Sequence, residues 1–229
     1  MSLSRIFQSG SRPENNSLKK LIMEKQTVAA GSLIRYFRTH NQGALNEVDP
    51  IQGVTPLIAA ISQLDDRTSG SLIFNGANVS LPTFKYTTHG VVELFFPSLM
   101  AASYSFTKCL EIMLNQEGFN INNKTEKLGF SVLYFAIQHG RLNAVHFLFL
   151  KKREGLHLDV NIQANDGSTP LHIAIYNNYP RIVEALLDFA DIDANLTSID
   201  GSIIQLALNL RRYDIVQILL NSGKVDLFS

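Results

Sequence analysis

Apolar residues recur along this chain at helical spacing in short blocks, and the blocks come in pairs. The clearest pair occupies residues 170–174 and 181–187. Thr169-Pro170 opens the first block. The threonine suits an N-cap, and the proline sits at the first helical position, where its missing N–H costs little. In the second block Ile182, Val183, Leu186 and Leu187 share one helical face. Asn177-Asn178-Tyr179-Pro180 lies between them, so the pattern predicts a short antiparallel helix pair.

The pair repeats. Ile203-Ile204-Gln205-Leu206-Ala207 precedes Ile215-Val216-Gln217-Ile218-Leu219-Leu220, and Pro170 to Ile203 spans 33 residues. Upstream, Val132-Leu133-Tyr134-Phe135-Ala136 precedes Ala144-Val145-His146-Phe147-Leu148. Pro97-Ser98-Leu99-Met100-Ala101 precedes Cys109-Leu110-Glu111-Ile112-Met113. The earliest clear copy is Thr55-Pro56-Leu57-Ile58-Ala59-Ala60. A helix pair with one apolar face cannot bury that face alone, whereas stacked neighbours share a continuous core. Ala60, Ala101, Ala136, Ala174 and Ala207 are small enough for inner helices to approach closely.

Thr169-Pro170-Leu171-His172-Ile173-Ala174, the 33-residue period, Gly76-Ala77-Asn78 and Asp159-Val160-Asn161 together resemble the ankyrin-repeat family. The resemblance covers about residues 46–229. It implies an all-α solenoid of about five repeats, near 53–86, 94–124, 129–163, 167–198 and 201–229, within a repeat region of 47–229. It also implies that His172 ties the loop backbone together by hydrogen bonds, with Ile58, Leu99, Tyr134 and Gln205 at the equivalent positions. The irregular repeats and Asn-rich turns resemble ankyrin proteins that intracellular bacteria deliver into host cells.

The ends depart from the repeat. Residues 1–16 read as a flexible N-terminus. Residues 17–46 predict a capping helix pair: Ser17 as N-cap with Leu18, Leu21 and Ile22 on one face, then Gly31-Ser32 opening a second helix with Leu33, Ile34 and Phe37 buried. Its outer side carries Lys19, Lys20, Lys25, Arg35 and Arg38, a solvated cap face or a contact for acidic partners. The second helix of the first repeat looks degenerate at Asp65-Asp66-Arg67-Thr68-Ser69-Gly70. Pro56 to Pro97 spans 41 residues, which leaves an insert near 80–95. That insert is rich in β-branched and aromatic residues and predicts a short β-hairpin. It reads equally as a loop packed on its own repeat or as an arm that meets a partner. The last unit, with Arg211, Arg212 and Asp214 outward, reads as a terminal cap.

Composition adds limits. The chain is 45% hydrophobic and 17% charged, which suits a folded core. Its formal net charge is zero, so no global field favours nucleic acid or an anionic membrane. Residues 1–40 nonetheless carry seven Lys/Arg against two Glu. No apolar run is long enough to span a bilayer. The lone cysteine, Cys109, falls on an apolar helix face and predicts a buried, inert thiol. His139, His146 and His157 do not share a helical face, and no acidic or cysteine cluster completes a metal site with them. No phosphate-cradling loop or His-Glu-x-x-His is present.

These readings predict a non-catalytic interaction module or adaptor, without cofactor or metal. It would bind a partner protein through the concave surface made by inner helices and hairpin tips. Neither nucleic acid nor membrane insertion is expected. The expected state is a monomer and the expected location the cytoplasm, that of a host cell for a delivered bacterial effector. The candidate partner-binding residues are Ser62, Gln63, Phe84, Tyr86, Phe95, Ser103, Tyr104, Phe130, Gln138, His139, Asn165, Asp166, Ser168, Tyr176 and Asn177. Aromatic side chains are the preferred anchors among them. The alternatives are an interaction domain of a larger enzyme, or an enzyme whose site lies in the insert around His89 and Glu93.

Overall fold

The computed structural model describes residues 16–49, 53–82, 84–88 and 91–226, without the side chains of 16, 17, 84–88 and 91–94. The N-terminal segment 1–15, His89 and residues 227–229 lie outside it. The side chains of Phe84, Tyr86 and Glu93 lie outside it too. The chain divides into two compact units, Met1–Phe119 and Asn120–Ser229.

In the first unit, α1 (Asn16–Met23) pairs with α2 (Thr27–His40), and a 3-10 turn follows at Gln42–Leu45. Two further pairs follow, α3 (Pro56–Ser62) with α4 (Asp66–Phe74) and α5 (Pro97–Ser103) with α6 (Thr107–Leu114). Between them, β1 (Phe84–Thr88) pairs antiparallel with β2 (Val91–Phe95). The second unit holds α7 (Val132–Gln138) with α8 (Leu142–Arg153), α9 (Pro170–Tyr176) with α10 (Pro180–Leu187), and α11 (Ile203–Asn209) with α12 (Tyr213–Ser222). There α9 packs between α7 and α11.

The inner helices α3, α5, α7, α9 and α11 are each seven residues long. Too short to persist alone, they are held by burial, and α3, α7 and α9 also by a side-chain cap. The Thr55 and Ser131 hydroxyls accept the backbone N–H groups of Ile58 and Tyr134 at 3.3 and 3.2 Å. Ala60, Ala101, Ala136, Ala174 and Ala207 are all fully buried, so inner helices meet where the side chain is smallest. Leu57, Ile58 and Ile61 fill the first unit's interior, as Leu133, Phe135 and Ile137 do the second's.

Three expectations need correction. Among the described residues the first helix runs from Asn16, which places Ser17 inside it. Gly31-Ser32 does not open a helix, because α2 starts four residues earlier and runs through both; Ala30, Leu33, Ile34 and Phe37 form its buried face. The segment from Asp65 to Gly70 is not degenerate. Asp65 caps α4 by accepting the Thr68 N–H at 2.9 Å. A Cβ at Gly70 would stand 3.4 Å from Ile112 Cδ1, so the missing side chain lets α4 lie close to α6.

Each turn from inner to outer helix uses one residue in the left-handed region. The residues are Lys25, Leu64, Ser105, Gly140, Asn178 and Arg211, with φ between 54° and 63°. The same turn therefore recurs whether or not the sequence supplies glycine.

Candidate functional site

The loops joining the pairs carry a repeated clamp. Asn122 Oδ1 accepts the Asp159 N–H at 2.9 Å, and its Nδ2 donates to the His157 carbonyl at 2.7 Å. Asn161 does the same to Asp193 and Asp191, at 2.9 and 2.6 Å. Asn195 does it to Asp226 and Lys224, at 2.7 and 3.1 Å. Each asparagine is positioned by an Asx turn: Asn120, Asp159 and Asp193 accept the N–H groups of Asn122, Asn161 and Asn195, each at 2.9 Å. A related bond joins Asn46 Oδ1 to the Asn78 N–H in the first unit. A carboxamide offers donor and acceptor together, so one side chain satisfies two loop backbone groups.

The hairpin tips of the second unit are joined by further bonds. Asn165 N donates to the Leu128 carbonyl at 3.0 Å, and its side chain to the carbonyls of Glu126 and Lys127. Ile199 N donates to the Asp166 carbonyl at 3.0 Å. Gly129 has a φ of +73°, and a Cβ there would lie 2.7 Å from Asn165 N. Only glycine admits the next tip so closely.

His172 is buried and completes a capping box. The Thr169 hydroxyl accepts its N–H, while His172 Nδ1 accepts the Thr169 N–H, both at 3.3 Å. Its Nε2 lies 3.3 Å from the Gly201 carbonyl, at the next tip. Desolvation lowers its pKa, against the smaller opposing pull of that carbonyl and of Asp166 and Asp200. This is the bonding role that the family resemblance implied. At the equivalent position Gln205 accepts the Ser202 N–H at 3.2 Å, and Tyr134 is buried against Phe130 with ring centroids 4.4 Å apart. Burial pushes the Tyr134 phenol up.

The expected partner-binding positions sort by exposure. Tyr176 is 57% exposed and Tyr104 39%. Ser62, His139, Asn165 and Asp166 are exposed, and Gln63, Gln138 and Asn177 half-buried. Four positions expected at the surface are buried instead: Phe95, Ser103, Phe130 and Ser168. Phe130 stacks on Tyr134 and meets Phe135 edge-on, so it fills a gap within the unit. The Ser103 hydroxyl donates to the Met100 carbonyl. Ser168 N donates to Asp166 Oδ1, folding it into the turn before the Thr169 cap. Phe95 ends β2 where the chain enters α5.

Several polar candidates are already engaged. The Asn165 carboxamide holds the neighbouring tip, Asn177 Nδ2 donates to the Ile173 carbonyl, and His139 Nδ1 lies 3.0 Å from the Phe135 carbonyl. Large exposed side chains outside the candidate set include Ile199 at 80%, Phe74 at 71% and Tyr213 at 66%. The Cys109 thiol is fully buried and donates to Asp66 Oδ1 at 3.1 Å; burial first, then this carboxylate, pushes its pKa up. Among the described residues, no group of His, Cys, Asp or Glu could hold a metal, and no helix is long and apolar enough to cross a membrane.

Paired short helices, extended tips and loop clamps define a repeat scaffold. Residues 153–228 match the family model described as ankyrin repeats in three copies. A probable serine/threonine-protein kinase of Dictyostelium discoideum is 34% identical over 133 residues, 56% of this chain and 15% of that protein. The mouse ankyrin repeat domain-containing protein SOWAHD is 26% identical over 190 residues, 82% of this chain and 54% of that protein. The chain thus spans about half or less of the length of these relatives. A solved ankyrin repeat domain from Acinetobacter baumannii shares the fold with a TM-score of 0.70, at 24% identity, covering 92% of this chain and 99% of that one. Residues 153–228 thus carry ankyrin repeats, and the chain shares the ankyrin-repeat fold. Ankyrin repeats are general protein-interaction modules and generally non-catalytic.

Proposed function

We propose that the chain is a non-catalytic adaptor that binds a partner protein through the inner-helix ends and tips of residues 120–229, with Tyr176 as the anchor. One observation carries this reading. Tyr176 ends α9 with more than half its surface in water, while Asn165, Asn177 and His139 are already committed to the backbone. A large rigid aromatic on a satisfied scaffold gains contact area at low entropic cost. Tyr104 is the corresponding candidate in the first unit. The proposed place of action is the cytoplasm, that of a host cell if the chain is a delivered effector. The test is quantitative capture from cytosolic extract by the wild type and by Tyr176→Ala, Tyr104→Ala and Tyr213→Ala, each checked by thermal unfolding. Loss of a specific set of proteins with Tyr176→Ala alone, at unchanged Tm, supports the reading. Identical capture by every variant overturns it.

A second reading is favoured by the match to the kinase, whose remaining 85% lies beyond it (100 less the 15% matched): this chain's repeats serve as the interaction part of a larger enzyme. A hydrolase and transferase screen of the purified chain, with His89→Ala as control, tests for activity in the chain itself. The expected result is no signal that depends on His89.

A further inference from the structure

We propose that the cleft between α2 and α4 binds a phosphate monoester group. The cleft is about 190 Å³ in volume, and Thr27, Gly31, Arg35, Arg67, Thr68 and Ser71 line it. Arg35 and Arg67 are exposed. Among the described residues neither guanidinium is paired with a carboxylate. Arg35 Nη2 donates to the Ser32 hydroxyl at 3.2 Å, which leaves most of its N–H groups available. Guanidinium forks match the oxygens of a phosphate better than any other side chain does.

Three further features point the same way. Thr68 is 2% exposed, and its Oγ1 has no hydrogen-bond partner among the described residues. A buried hydroxyl left unpaired in a cleft wall calls for a partner, which a ligand oxygen supplies. No side chain caps α2, a 14-residue helix whose first-turn residues Thr27 and Val28 line the cleft, and a helix dipole favours negative charge at that end. Gly31 stands in the middle of that helix, and a Cβ there would meet nothing within 4 Å. The opposing charge is Asp65, whose Oδ1 accepts the Thr68 N–H and Oδ2 the Thr27 hydroxyl; this negative charge is set against the two guanidinium groups. Asp66 accepts the Cys109 thiol. The cleft's chemistry stands whether or not Tyr176 anchors a partner.

Calorimetric titration of the full chain with inorganic phosphate and with N-acetyl-phosphoserine amide tests the site, with N-acetyl-serine amide as control. The expected result is saturable binding of the phosphoserine compound and none of its unphosphorylated control. Saturation by both probes marks a general phosphate site, and by the phosphoserine compound alone a site for a phosphorylated side chain. Arg35→Gln and Arg67→Gln should each weaken binding roughly tenfold. Thr68→Val should weaken it without lowering Tm, since it removes an unpaired hydroxyl. Gly31→Leu should block the cleft while raising Tm, with both arginines kept. No binding of the phosphoserine compound to the wild type at millimolar concentration overturns the proposal. So does binding that survives Gly31→Leu, since that would be attraction to surface charge.

Discussion

At the scale of single residues, His172 ties its own helix cap to the next tip, and it does so neutral. Its folded pKa is lowered, so the unfolded chain takes up a proton first as pH falls. The stability it contributes is complete above its unfolded value of about 6.5 and is lost as pH falls from there through the folded value. Thermal unfolding between pH 7.5 and 5 should therefore show a decline that His172→Gln flattens while lowering Tm throughout. A variant with the same pH slope as the wild type would place the dependence elsewhere. Asn161 belongs to the same scale. Asn161→Ala removes bonds of 2.6 and 2.9 Å to the next loop and should cost about 1–2 kcal/mol, read by chemical denaturation. The Cys109 thiol, buried and facing Asp66, should react with a thiol reagent only as fast as the native state opens.

At the scale of elements, the six inter-helix turns show a backbone demand that the side chains do not all suit. Gly140 meets it without strain, and Asn178 tolerates it. Leu64 holds a φ of 59° with 61% of its surface in water. Leu64→Gly should raise stability by ~0.5–1 kcal/mol, because the left-handed strain it relieves exceeds the entropy glycine adds to the unfolded chain. Gly129→Ala should do the opposite. Strain at a φ of +73° and a Cβ 2.7 Å from Asn165 N should cost about 2 kcal/mol or more, seen as a lower denaturation midpoint. The same logic explains α4. From Asp65 to Gly70 the local propensities disfavour helix, yet Asp65 caps it and contact with α6 rewards the glycine. Propensity is a weak prior when a neighbouring helix supplies the packing.

At the scale of the whole molecule, this is a scaffold whose interactions run mainly between neighbouring repeats. The ladder from Asn122 to Asp159, from Asn161 to Asp193 and from Asn195 to Asp226 shows that directly, each bond reaching only the next loop. Such a scaffold leaves the exposed ends of its inner helices free to vary. The proposed anchor, Tyr176, sits at one such end, whereas the proposed phosphate cleft lies between the outer helices α2 and α4.

The helix pairs, their period, the Thr-Pro helix starts and the alanine face are all readable along the chain. Each follows from spacing and cap chemistry within a few residues, as at Thr169-Pro170. The role of His172 was also legible, because a family pattern carries it. The remaining features are properties of two segments meeting in space. Phe130, Phe95, Ser103 and Ser168 became interior because neighbours cover them, which no local pattern records. The Asn clamp was written in the sequence as Asp159-Val160-Asn161 and Asp193-Ala194-Asn195, but its targets lie about thirty residues away. The cleft at Arg35, Arg67 and Thr68 joins helices from different pairs, and its unpaired hydroxyl exists only once α4 is packed.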